Sequence, residues 1–155
     1  MTVNSMKNLF ERSAVDELNE RMSRLTPDSQ PLWGKMNVAQ ALAHCSAGME
    51  MALGERSPPR IFIGRLLGRF AKKSMILNEK PMPRNAGTDR SLVVSDKRDF
   101  AVERQRLRDL IGRLAAGGPG ACTSHPHFFF GPLTPMEWSA LMYQHLDHHL
   151  RQFQV

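Results

Sequence analysis

The 155-residue sequence predicts an all-α protein: an up-down four-helix bundle with a long crossover and a short extra helix between helices two and three. Three observations support this prediction. Apolar residues recur at three- and four-residue spacing in four stretches, capping residues precede those stretches, and Gly or Pro ends three of them. Alternating strand patterns are nearly absent outside residues 91–94. We therefore expect one domain spanning residues 1–155.

The first helix is predicted from a start signal and a stop signal. Ser13 and Asp16 form a capping pattern ahead of its apolar residues, although the helix could also open earlier, at Lys7. Pro27 follows soon after the last periodic residue and ends the helix, because proline cannot continue it.

Helices two and three show the same logic. Asn37 followed by Gln40 is a capping pattern, and Gly54 ends the apolar repeat of helix two. Asp96 is the predicted start of helix three, and the Gly-Gly-Pro-Gly run at residues 117–120 ends it.

Helix four has the clearest start in the chain. Residues 134–137 read Thr-Pro-Met-Glu, which places a cap, a proline at the first helical position and a glutamate at the third. The apolar stripe of this helix carries His145 and His149, which are four residues apart and therefore neighbours on one face.

A shorter amphipathic helix is predicted over residues 60–73, with apolar residues on one face and Arg65, Arg69 and Lys72 opposite. Such a helix could lie on a membrane surface. We favour packing of its apolar face on the other helices, because most amphipathic helices of globular proteins do this. Residues 78–95 are predicted to form a long loop, and loops of that length are often functional.

Composition limits the expected partners. The 21 Lys and Arg against 15 Asp and Glu give a net charge of +6, which raises nucleic acid and anionic surfaces as possibilities. Aromatic residues interleaved with arginines occur only near residues 62–70, so nucleic acid is a disfavoured partner. No apolar run approaches about 18 residues, so no membrane partner is expected. Cys45 and Cys122 form no motif and fit a cytoplasmic location. A small-molecule substrate is the expected partner, and a homodimer is the default oligomer.

The pair His145 and His149 is close enough to bind one ion, but the spacing is equally consistent with two hydrogen-bonded buried histidines. The H-E-x-x-H zinc motif has the same spacing. Leu146 stands where that motif has its glutamate base, which excludes a zincin-type protease. His44 is the best candidate for a third ligand, because the small residues around it on helix two leave room for a pocket.

Further histidines are candidates for other roles. His125 and His127 lie in the loop before the last helix, where a histidine could support the ligands, contact the substrate or have no function, and the last is the simplest interpretation. His148 lies on the flank of the last helix. We expect His148 or His125 to act as general base or to orient the substrate, because imidazole titrates near neutral pH. Four basic residues near the crossover could receive an anionic substrate: Arg60, Arg65, Arg84 and Arg90.

Three stretches carry a resemblance to a known family: residues 36–45, 125–134 and 145–153, the last reading His-Leu-Asp-His-His-Leu-Arg-Gln-Phe. The chain resembles the DinB/YfiT-like superfamily over nearly its whole length, and most closely a bacterial branch of uncharacterised function. The resemblance implies a four-helix bundle with a divalent ion held by one histidine of helix two and an H-x-x-x-H pair in the last helix. His44, His145 and His149 match those positions.

The resemblance implies a range of activities, from thiol-dependent S-transferases to metal-dependent hydrolases. We therefore expect a metal-dependent enzyme in which three neutral imidazoles hold Zn²⁺, Ni²⁺ or Fe²⁺. The ion would activate water or a low-molecular-weight thiol. The alternative is a non-catalytic metal-binding or interaction protein with a basic surface.

Overall fold

The computed structural model describes residues 6–155, which contain five α-helices and no strand. The helices are α1 (Arg12–Ser23), α2 (Val38–Ala52), α3 (Phe62–Lys72), α4 (Phe100–Gly117) and α5 (Pro135–Gln152). A π-helical segment follows α3 directly (Lys73–Leu77), and short 3₁₀ turns occupy Arg90–Leu92 and Gly118–Ala121. The predicted all-α class is confirmed.

The starts of α2 and α5 follow the predicted capping boxes. The Asn37 side chain accepts from the Gln40 backbone N–H at 2.8 Å, and the Gln40 side chain accepts from the Asn37 backbone N–H at 3.0 Å. Thr134 and Glu137 make the same reciprocal pair at 3.2 and 2.9 Å. In both helices the side chains satisfy backbone donors that have no partner within the helix.

α1 and α4 begin at residues other than those predicted. Asp99 rather than Asp96 caps α4, accepting from the Val102 backbone N–H at 2.9 Å. α1 follows Glu11, whose side chain makes no capping bond, so the pattern at residues 13–16 lies inside the first turn. Polar residues able to cap occur at several positions before each apolar run, and the pattern alone does not select among them.

The helix directions differ from a simple up-down alternation. Gln40, near the start of α2, donates to the Asp96 carbonyl just before α4, and Glu50, near the end of α2, pairs with Arg106 within α4. Since the contacts advance together along both helices, α2 and α4 are parallel. Residues 53–99 form the crossover that returns the chain to the starting end of α2, and this long connection is what makes a parallel neighbour possible.

α1 and α5 are also parallel to each other. The Leu9 backbone N–H, just before α1, donates to Ser139 Oγ at 2.8 Å near the start of α5. Arg21, near the end of α1, donates to Asp147 at 2.8 Å further along α5. The core lies among these four helices, and its fully buried side chains come from all of them: Leu18, Met22, Met49, Leu107, Ile111, Leu114, Trp138 and Leu146.

α3 has the predicted position but not the predicted orientation. The residues of its apolar face are 50–76% exposed: Phe62, Ile63, Leu66, Leu67 and Phe70. Gly64 and Gly68 are its buried residues, and they lie against the Phe129 backbone. The prediction that the apolar face packs on the other helices is therefore wrong. A helical period shows which residues share a face, but not which face docks. No helix within residues 6–155 is long and apolar enough to cross a bilayer.

Candidate metal centre

Two helices bring three histidines to one point. His44 lies on α2, where every residue except Gln40 is buried, and His145 and His149 lie one turn apart on α5. One ring nitrogen from each lies within 4.8 Å of the others. The ring centroids form a nearly equilateral triangle with sides of 4.9, 4.8 and 4.7 Å. The structure thus brings together the three residues that the sequence nominates as ligands.

The spacing of one pair of ring nitrogens suits a single divalent ion. Nε2 of His44 lies 3.0 Å from Nε2 of His145. Two nitrogens bound to one ion at about 2.0–2.1 Å would be roughly 2.9–3.4 Å apart, depending on the angle at the ion. The ring planes are inclined by 70°, 77° and 89°, so the rings meet by their edges, where the nitrogens are.

The crossover determines the tautomer of His44. Its Nδ1 lies 2.7 Å from the carbonyl oxygen of Leu92, in the 3₁₀ turn Arg90–Leu92. A carbonyl only accepts, so Nδ1 carries the hydrogen and donates. The lone pair is therefore on Nε2, which faces the other two rings. One function of the long loop predicted over residues 78–95 is thus to orient His44.

A relay of two hydrogen bonds determines the tautomer of His149. Gln152 Nε2 donates to the carbonyl of Trp33 at 2.7 Å, which leaves the Gln152 Oε1 to face His149. That oxygen lies 2.7 Å from His149 Nδ1 and accepts from it. The Trp33 carbonyl can only accept, so the amide orientation follows from the geometry. His149 Nε2 therefore carries the lone pair as well.

Gly48 provides the space for the ring of His145. A Cβ atom on Gly48 would lie 3.1 Å from Nδ1 and 3.2 Å from Cε1 of that ring, closer than most side chains tolerate. Within residues 6–155, no acidic or cysteine side chain joins the three histidines as a potential ligand. The donor set is three imidazoles and carries no net charge.

Burial keeps the three rings neutral. It lowers the pKa of His44, against the hydrogen bond to Leu92, which raises it. Burial, reinforced by the neighbouring histidines, lowers the pKa of His145 well below its ordinary value. It lowers the pKa of His149 to about 3. Only an unprotonated imidazole has a lone pair for a metal, so the cluster is in its ligating form at neutral pH.

Three further side chains lie beside the cluster. The ring of His148 is 5.1 Å from that of His149 and 5.3 Å from that of Trp33. The guanidinium of Arg84, from the crossover, lies 4.1 Å from the centre of the Trp33 ring. Burial lowers the pKa of His148, and the charge of Arg84 contributes in the same direction. The histidine and the arginine therefore share one neighbourhood with the predicted ligands.

His125 is placed away from the three rings. His125 is exposed, in a segment joined to the end of α2 by a 2.8 Å bond from the Thr123 backbone N–H to the Ala52 carbonyl. Ala52 is eight residues beyond His44, or about 12 Å along the helix. The catalytic roles of His148 and His125 remain predictions.

His127 has a structural environment. It is buried, and its Nδ1 accepts from the backbone N–H groups of Phe129 and Phe130 at 3.1 and 3.2 Å. Burial lowers its pKa to about 3. This ring holds the turn between His127 and Gly131 rather than serving as a fourth ligand.

Sequence reasoning missed the groups that orient the three histidines. Gln152 is three residues after His149, on the same helical face, and that spacing could have identified it. The roles of the Leu92 and Trp33 carbonyls could not be predicted from the sequence. Every residue has a backbone carbonyl, and only the fold determines which of them accepts a hydrogen bond from His44 or Gln152.

Comparison with known proteins places the chain in a family. No curated protein and no solved structure matches it. A family model described as "Protein of unknown function (DUF1569)" matches residues 4–155, which include all three histidines of the cluster and the groups that orient them. The chain belongs to the DUF1569 family.

Proposed function

We propose that the protein is a metal-dependent enzyme in which His44, His145 and His149 hold one divalent ion. The main support for this proposal is that few N–H groups of the three rings point to the centre of the triangle. Two of the three rings donate their N–H outward, to Leu92 and Gln152. The centre then contains two lone pairs and at most one N–H, from His145, so a cation is the complementary occupant.

The chemistry follows from the charge of the ligands. An ion held by three neutral imidazoles keeps its full charge, lowers the pKa of a bound water to about 7 in favourable sites, and ionises a thiol. Imidazole ligands suit Zn²⁺, Ni²⁺ and Fe²⁺. The reaction class is hydrolysis of a small molecule, or transfer to a low-molecular-weight thiol.

Two neighbours have roles in this proposal. In this proposal His148, whose ring lies 5.1 Å from that of His149, accepts a proton from the nucleophile as general base. Arg84 has no acidic partner within ion-pair distance among residues 6–155, and it is supported by the Trp33 ring. Its guanidinium lies over the Trp33 ring, which is itself beside His148, and it is suited to an anionic group of the substrate.

Membership of the DinB/YfiT-like superfamily, with a four-helix-bundle arrangement of α1, α2, α4 and α5, belongs to the same proposal. The supporting observations are the histidine on α2 and the histidine pair on the last helix. Cys45 and Cys122 are free, which supports a reducing, cytoplasmic location.

Metal analysis of protein purified without an affinity tag tests the proposed site. The wild type and the control His125→Ala should each carry about one ion per chain after growth with added zinc, nickel or iron. His145→Ala and His149→Ala should lose it, because two ligands rarely hold a catalytic ion. The proposal fails if the wild type contains no stoichiometric metal and binds none on titration.

Turnover tests the enzyme. Metal-loaded protein is screened against small esters and amides, and against electrophiles in the presence of low-molecular-weight thiols. His148→Gln should keep its metal and lose most of its activity, since general-base catalysis contributes about 10²–10⁴-fold. Metal binding without turnover on any of these substrates would favour the non-catalytic alternative.

A further inference from the structure

The outward face of α3 takes no part in the histidine cluster. Phe62 and Phe70 are each 76% exposed, and three aliphatic residues between them are at least half exposed: Ile63, Leu66 and Leu67. Their spacing puts all five on one side of the helix. We call this set the apolar strip. A continuous patch of large apolar side chains at a protein surface generally marks a binding surface.

The opposite side of α3 is fitted to the body of the protein. A Cβ atom on Gly64 would lie 2.6 Å from the Phe129 carbonyl oxygen, and one on Gly68 would lie 2.2 Å from it. Only glycine permits this approach. Turning the helix to bury the apolar strip would replace these glycines with bulky side chains at the same contact. The outward orientation is therefore built into the sequence of α3.

The border of the apolar strip is positively charged. Residues 60–77 contain five Lys and Arg residues and no acidic residue. Lys72 is paired with Glu137. Arg65, Arg69 and Lys73 are exposed, and among residues 6–155 no acidic group lies within ion-pair distance of them. These three cations remain available to an anionic partner.

Charge distinguishes the possible occupants. In a twofold dimer through this face the same patch would meet itself, and the two sets of cations would be brought together. An anionic bilayer complements both the cations and the apolar strip, because its phosphates attract the cations while its acyl region accepts the apolar side chains. We propose that α3 binds the surface of an anionic lipid bilayer, lying parallel to it with the apolar strip inserted below the headgroups. This departs from the expectation of no membrane partner, which considered only segments that span a bilayer.

Vesicle flotation with the full-length protein tests this proposal. Vesicles of phosphatidylcholine alone are compared with vesicles that also contain phosphatidylglycerol. The wild type should float with the mixed vesicles and much less with the neutral ones. Phe62→Glu/Phe70→Glu should stay in the soluble fraction. The matched control is Val102→Glu, which changes an apolar side chain on α4 that is 62% exposed, and it should float like the wild type.

A charge reversal tests the electrostatic part. Arg69→Glu should lower the partition constant about fivefold or more, because each cation near an anionic surface contributes about 1 kcal/mol. Lys97→Glu changes an exposed cation outside α3 and should have a much smaller effect. Circular dichroism of each variant shows whether it folds, so a loss of binding can be separated from a loss of structure.

Three results would overturn the proposal. One is a wild type that does not float with anionic vesicles, and another is a Phe62→Glu/Phe70→Glu variant that folds and floats as well as the wild type. The third comes from sedimentation velocity: self-association that this double variant abolishes, with no vesicle binding, would assign the apolar strip to a second copy of the chain. Both flotation and sedimentation are run with and without added zinc, so the outcome does not depend on the metal site.

Discussion

At the scale of single residues, the hydrogen bonds around the histidine triangle determine its chemistry more than the histidines alone do. An imidazole can present either nitrogen, and its outward partner decides which one faces the centre. For His149 this outward partner is the side-chain oxygen of Gln152, and the Gln152 amide is itself oriented by its hydrogen bond to the Trp33 carbonyl. The three histidines are thus surrounded by a second set of residues that orients their rings.

Gln152→Leu tests this second layer. Leucine fills similar space but cannot accept from His149 Nδ1, so the ring loses its preferred tautomer. We expect zinc affinity to fall by about 10- to 100-fold, as is typical when a partner of a ligating histidine is removed. Competition titration with a chromophoric chelator measures the affinity. Gln105→Leu, at an exposed position of α4, is the control and should bind as the wild type does. Equal affinity in Gln152→Leu would show that the relay does not matter.

Gly48→Val tests the space that His145 occupies. A valine side chain would collide with a ring that lies 3.1 Å from the Cβ position. We expect metal affinity to fall at least tenfold while helical content is retained, because the ring is displaced from the triangle. Gly112→Val on α4 is the matched control, since nothing lies within 4 Å of its Cβ position. Unchanged metal affinity in Gly48→Val would contradict the proposed packing.

At the scale of helices, the sequence predicted two of the four long-helix starts correctly and two incorrectly. Capping boxes at Asn37 and Thr134 were correctly predicted, because each combines a cap with a reciprocal partner three residues later. Ser13 and Asp96 also fit a simple capping pattern but do not cap. Since Ser13 and Asp16 have the same three-residue spacing as the two true boxes, the spacing alone does not identify a helix start.

Asn37→Ala and Ser13→Ala separate a true cap from an apparent one. Asn37→Ala should lower the free energy of unfolding by about 0.5–2 kcal/mol, because the Gln40 N–H loses its acceptor. Ser13→Ala should change it by less than about 0.5 kcal/mol, since Ser13 is exposed within the first turn of α1. Urea unfolding followed by circular dichroism gives both values. Equal losses in the two variants would contradict the helix starts in the structure.

At the scale of the whole molecule, the direction of each helix could not be read from the sequence. Helical periods and caps predicted the four long helices and the short one, but a connection as long as residues 53–99 permits either direction for the helix that follows. The parallel arrangement depends on contacts between residues far apart in the chain, such as Glu50 with Arg106. The orientation of α3 was missed for a similar reason, because it depends on the Phe129 backbone.

The stability of the whole fold should fall in acid partly through His127. Its pKa is about 3 in the folded protein and about 6.5 in an unfolded chain. As the pH falls from about 6.5 toward 3, the unfolded chain takes up a proton that the folded chain does not, so the free energy of unfolding falls. Well inside that window this group contributes a slope of about 1.4 kcal/mol per pH unit.

His127→Asn isolates that contribution. The Asn side-chain oxygen can accept from the same backbone N–H groups but does not titrate. Urea unfolding between pH 7 and pH 4, with a chelator present, should show a slope smaller by about 1.4 kcal/mol per pH unit than in the wild type. His125→Asn replaces an exposed histidine of the same loop and is the matched control. An unchanged slope in His127→Asn would mean that this ring becomes protonated in the folded state.

The hydrogen bond from His44 to the Leu92 carbonyl joins the crossover to the histidine triangle. The free energy of ordering the crossover is therefore coupled to the free energy of ordering the three histidines. An ion that binds only when the three histidines are ordered stabilises the contacts that order them. These contacts include the turn at residues 90–92. Saturating zinc should therefore slow proteolysis within residues 78–95, although none of those side chains is a proposed ligand. The rate at which a protease cleaves the crossover would then measure how much of the histidine site is occupied by zinc.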